Sequence, residues 1–196
     1  MSAAVADDYA WVESTWIGAA FCLTYARGLA AAEALRRFGA DVAAMRPMTV
    51  DEVGEAGVAA DGDGRIIALA RRIGDWAVVL EPNGFRGQFL DAVSAGTTAV
   101  SVYLGAHGVT GFTYTRDGER LTAFEPLFAD SRHGSQPDLV VPHLLAVGLD
   151  ESLGEQRFGT IVTGSLALAE RLTGARLTPE LLDGYWLGGR IPLMAR

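Results

Sequence analysis

The sequence contains no lysine; all sixteen of its basic residues are arginine. That excludes Schiff-base chemistry and a lysine-bearing phosphate loop. There is one cysteine, Cys22, so no internal disulfide forms. It sits in the apolar run AAFCLTYA and reads as a small core residue rather than a nucleophile. The three histidines, His107, His133 and His143, form neither HExxH nor any close ligand pair, so no metal is expected. No run reaches the roughly 20 strongly apolar residues of a membrane span. The N-terminus, MSAAVADDYAW, has acidic Asp7 and Asp8 where a signal peptide would be basic. The expectation is a cytoplasmic protein, with no membrane attachment and no cofactor.

Positive charge is also scarce. Twenty-four acidic residues oppose the sixteen arginines, for a net charge of −8 and a pI near 4.8. The arginines are scattered, so phosphate backbones would be repelled and nucleic-acid binding is not expected. An acidic surface suits a basic protein or peptide partner.

What is present suffices for a sizeable core. The chain has 196 residues, 49% hydrophobic and 20% charged, which fits one domain over 1–196. Residues 1–7 are expected to be disordered and 183–196 to dock as a tail. A short helix is expected over 8–18, with Trp11 and Trp16 near one face and Gly18 as its stop. AFCLTYA (20–26) alternates with period two and predicts a strand. LAAAEALRRFG (29–39) predicts a helix, and Thr49 with Glu52 forms a capping box. AADGDG (59–64) reads as a surface loop; Arg65, Ile66 and Arg72 stand where a calcium loop needs other residues.

RIIALARRI (65–73) and WAVVLE (76–81) form a hairpin through Gly74-Asp75, and 85–96 reads as a helix. Strands over 98–105, 110–116 and 119–125 make a meander, the last two joined by Asp117-Gly118. Helices follow over 137–149 and 165–174, with Ser165 as an N-cap, and a last short one opens at Thr178-Pro179. Order and pattern predict an α+β fold: an antiparallel sheet of about five to six strands with helices packed mainly on one face. No βαβ alternation appears, which disfavours a Rossmann-type site.

One stretch carries most of the chemical interest: GDWAVVLEPNGFRG (74–87). Alternation puts Trp76, Val78 and Leu80 on one face and Ala77, Val79 and Glu81 on the other. Pro82, Asn83 and Gly84 then form a turn, with Gly84 the residue for positive φ. Only Glu81 and Arg86 lack a backbone reason. Burial would raise the Glu81 pKa and a nearby Arg86 would lower it. Glu81, His107 and Tyr114 are therefore catalytic candidates, and Trp76, Glu81, Asn83 and Arg86 binding candidates. Glu125, closing the last meander strand before a proline, is a second acid that could share the sheet edge.

The order W-x-V-V-x-E-P-N-G-F (76–85), S-x-G-T (94–97), V-S-V-Y and F-x-Y-x-R-D-G resembles an actinomycete family of uncharacterised proteins of the domain-of-unknown-function 6461 type. C-L-T-Y-A-R-G-L (22–29), L-R-R-F-G-A and A-L-A-E-R-L-T-G-A-R-L-T-P-E-L-L (167–182) extend the resemblance over about residues 10–185. It implies no activity and transfers no catalytic residue.

Two functions remain open. The first is a non-enzymatic module that binds a protein or peptide, in an immunity-like or regulatory role. The alternative is a metal-free enzyme or small-ligand binder in specialised metabolism, with Glu81 as general base. A homodimer through the 119–125 strand or the aromatic tail is a further possibility.

Overall fold

A single antiparallel sheet of eight strands, rather than five or six, organises the chain. The structure, a computed structural model, describes residues 3–15, 19–55 and 64–193. The strands are β1 (Phe21–Arg27), β2 (Arg46–Met48), β3 (Arg65–Ile73), β4 (Trp76–Pro82), β5 (Thr98–Leu104), β6 (Thr110–Arg116), β7 (Glu119–Phe124) and β8 (Trp186–Pro192). Their spatial order is β2-β8-β3-β4-β1-β5-β6-β7. The helices are α1 (Ala31–Arg37), α2 (Val50–Glu55), α3 (Val141–Leu144), α4 (Ile161–Thr173) and α5 (Pro179–Leu182). The fold is α+β. Among the described residues no helix is long and apolar enough to cross a membrane.

Strand alternation sorts the side chains into two cores. Trp76, Val78 and Leu80 join the larger one with Leu166 and Leu168 of α4, Val50 and Val53 of α2, and Leu182 of α5. Ala77 and Val79 join the smaller one, where α1 contributes Ala34 and Leu35. Every residue of β4 is buried, and each large apolar side chain so placed contributes roughly 1.5–3 kcal/mol.

Two strands escape sequence reading. β2 contains Pro47, which cannot donate to a ladder, and it accordingly forms a short edge. β8 is the expected tail; it lies between β2 and β3 inside the sheet. Its glycines disguise it, yet they are what the position requires. A β-carbon on Gly188 would lie 2.3 Å from Met48 Sδ, and one on Gly189 3.1 Å from Ala40. Near the N-terminus a 3-10 helix spans Ala6–Ser14, and Ala4 and Ala6 are buried. Trp16 and Gly18, and the 59–63 part of the expected loop, lie outside the described residues.

The two segments expected to mediate a homodimer also make pairings within the chain. The tail is an internal strand. The free edge of β7 pairs with the segment after it: Ala123 and His133 exchange backbone bonds of 2.8 and 2.9 Å, and Ser135 and Gln136 donate to Arg120 and Leu121. Covering an edge in this way removes a template for strand addition.

Three helix expectations change. Residues 137–149 form 3-10 helix, the short α3, then 3-10 helix again. Helix α4 begins at Ile161, so Ser165 is interior and its hydroxyl donates to the Ile161 carbonyl at 2.6 Å. Residues 85–96 are not a helix; only Arg86–Gln88 makes a 3-10 turn. This segment connects β4 to β5, which flank β1 on either side. It crosses directly over β1, with Gly87 against Thr24 and Cys22. An α-helix with side chains is about 10–12 Å across, so its backbone could not approach the sheet that closely.

Candidate functional site

β4 delivers Glu81 to the smaller face at the strand's exit. The turn beyond it closes through Gly84 N–H to the Glu81 carbonyl, 3.2 Å. Pro82 takes its second position and Asn83, at φ 52°, its third, the arrangement of a type II turn. The left-handed residue is thus Asn83, not Gly84. Gly84 is needed for space instead, since a β-carbon there would lie 2.6 Å from Glu81 Cβ.

Glu81 is fully buried. Its carboxylate accepts from the backbone N–H of Arg86 at 2.9 Å and of Gly87 at 2.8 Å. The Arg86 side chain does not pair with it. That guanidinium turns toward α1, with Nη2 3.9 Å from where a Gly39 β-carbon would stand and Nη1 buried without a hydrogen-bond partner in the protein. Burial pushes the Glu81 pKa up to about 7 against the lowering effect of the two amides, the Cys22 thiol and the Arg86 charge. Burial and then the Glu81 charge push the Cys22 thiol up, so it is no thiolate nucleophile.

Strand register extends this cluster into a row. Glu81 on β4 faces Cys22 on β1, Cys22 faces Tyr103 on β5, and Tyr103 faces Gly111 on β6. Cys22 Sγ lies 3.4 Å from Ser101 Oγ. Beside it Thr24 is buried, with its hydroxyl unpartnered. Sequence reasoning missed Thr24, Ser101, Tyr103 and Gly87. Only strand pairing assembles them, and each alone looks like an ordinary strand or turn residue.

The other candidates scatter. Tyr114 is half-buried on the opposite face, packed against the larger core. His107 is exposed in the β5–β6 turn, His133 sits at the β7 edge and His143 lies in α3. Trp76 belongs to the larger core and is 7% exposed. Asn83 is exposed, and its N–H donates to the Ala20 carbonyl at 3.0 Å.

Among the described residues, Glu81 lines none of four clefts that open on the surface. One of them, of ≈ 260 Å³, lies at the β6 end of the row. Gly111, Thr113 and Ala123 belong to its floor, Gln88 and Phe89 to one wall, and Glu125 with Arg120 and His133 to its remaining lining. Gln88 Oε1 lies 3.2 Å from where a Gly111 β-carbon would be. Phe89 is 58% exposed. Glu125 therefore faces this cleft, not Glu81.

The profile of the Family of unknown function (DUF6461) matches residues 1–190. The chain belongs to that family. No curated protein and no solved structure matches it.

Proposed function

We propose that this family member is a cytoplasmic, non-enzymatic module that binds a protein or peptide partner, in an immunity-like or regulatory role, through the β6–β7 cleft. The observation that carries the reading is Phe89. It stands 58% exposed beside an open cleft with small residues on its floor and both charges in its lining. An aromatic anchor next to a shallow, partly polar recess is the pattern of a binding hot spot. The net charge of −8 favours fast encounter with a basic partner. The burial of Glu81 away from any of the four clefts weighs against the alternative, a small-molecule enzyme with Glu81 as base.

The test compares tagged wild type with Phe89→Arg in the native host. Tyr185→Arg, at a side chain 73% exposed, serves as the surface control. A specific protein that co-purifies with wild type and the control, but not with Phe89→Arg, supports the reading. Equal recovery by Phe89→Arg, or no specific partner across salt conditions, overturns it.

A further inference from the structure

The segment that forms the cleft wall is the same one that buries Glu81. Gly84, Arg86 and Gly87 cover the carboxylate, and Gln88 and Phe89 follow at once as the wall. The segment lies along the row Glu81–Cys22–Tyr103–Gly111, held by Glu81 at one end and resting on Gly111 at the other.

We propose that residues 84–89 form a lid over Glu81 that opens when the Glu81 carboxyl loses its proton, and that this movement reshapes the β6–β7 cleft. The first half rests on the local geometry. The second rests on the docking reading above.

With the lid closed, an ionised Glu81 has no ion-pair partner: two amide N–H groups and the Cys22 thiol stand in for water, and Arg86 acts on it only through its charge. A buried charge so compensated remains costly. Lifting the lid hydrates it. The groups around it do not supply the missing charge. From β1 comes the Cys22 thiol, whose own ionisation is disfavoured; from β5, Tyr103, likewise pushed up by burial; from β3, the apolar Ile66. The charges of α1 are engaged elsewhere: Glu33 pairs with Arg36 and Arg37, and Arg37 also donates to the carbonyls of Val93 and Ala95. Burial raises the Glu81 pKa by more than the charge of Arg86, whose guanidinium lies by Gly39, lowers it.

The closed lid holds Glu81 with a pKa of about 7, against an ordinary 4.5 once hydrated. Protonation therefore favours the closed state. The opening constant rises by up to about tenfold per pH unit between roughly pH 5 and 7, and levels off above.

Amide hydrogen exchange of full-length protein at pH 5, 6, 7 and 8, corrected for the intrinsic rate, reads this directly. The expected result is falling protection across 84–89 up to pH 7, then a plateau. Glu81→Gln, and Glu81→Met as a second neutral variant, should exchange without that slope. A flat wild-type profile, or a slope that survives in both variants, overturns the lid. A response confined to Arg86 and Gly87, with Gln88 and Phe89 unchanged, overturns its link to the cleft. None of these outcomes depends on the partner, so a failed lid leaves the docking reading standing, and a failed capture leaves the lid standing.

Discussion

Gly87 lies against Thr24 so closely that a β-carbon on Gly87 would stand 2.1 Å from Thr24 Oγ1. Cys22 Sγ and Glu81 Oε1 would follow at 2.8 and 3.0 Å. The glycine is not selected for a left-handed backbone, since its φ is not among the positive ones. It is selected because the crossover touches the sheet there.

Gly87→Ala should therefore destabilise the protein by about 1–3 kcal/mol, the usual cost of overpacking. Thr24→Ala removes one atom of the collision, and its hydroxyl has no hydrogen bond to lose. The double variant should be more stable than the sum of the single effects predicts, by at least about 0.5 kcal/mol. Urea unfolding of the four proteins measures this. Strict additivity would show that the crossover simply moves away from β1.

Glu81 also gives the global stability a distinctive pH dependence. The folded protein binds its proton below about pH 7, the unfolded chain only below about 4.5. Between those values the folded state holds more protons, so this group's contribution falls as pH rises. The shift amounts to about 3 kcal/mol. The stability of wild type minus that of Glu81→Gln should decline from pH 5 to pH 7 and then flatten. A difference that rises with pH would mean that the amide bonds outweigh burial.

Much of this is legible in the amino-acid sequence. Period-two alternation marks β1, β-rich runs on either side of Gly74-Asp75 mark β3 and β4, and turn signals separate β5, β6 and β7. Asp117-Gly118 announced its turn, and both residues adopt the positive φ it needs, 51° and 80°. What escaped were elements whose side chains are small for a reason. Gly188 and Gly189 make room for Met48 and Ala40, so β8 lost its alternation. Gly84 and Gly87 make room for Glu81 and β1, so the crossover read as a helix opening at Phe85. The site suffered in the same way. Glu81 was visible as a carboxylate ending an apolar strand, but Cys22 and Tyr103 lie 59 positions before and 22 after it, and only register joins them.

The internal position of β8 makes the C-terminus indispensable. A chain ending at Gly184 loses the strand that bridges β2 and β3 and the buried Trp186, whose indole N–H donates to the Leu181 carbonyl at 3.0 Å. It should be recovered insoluble, or without a cooperative thermal transition. A docked tail would instead leave a folded core with a lowered midpoint.

Phe89 and Leu90 are adjacent and should behave oppositely. Leu90 is 1% exposed and packs in the smaller core, whereas Phe89 is 58% exposed. Leu90→Ala deletes buried apolar atoms and leaves a cavity, which costs about 2–5 kcal/mol. Phe89→Ala removes a larger side chain yet should change stability by no more than about 0.5 kcal/mol. Hydrophobicity alone ranks the two the other way round, so the comparison isolates the orientation of the crossover. Urea unfolding of both variants at one pH decides it. A Phe89→Ala variant as destabilised as Leu90→Ala would mean that Phe89 folds onto the sheet in solution, which would remove the anchor on which the docking reading stands.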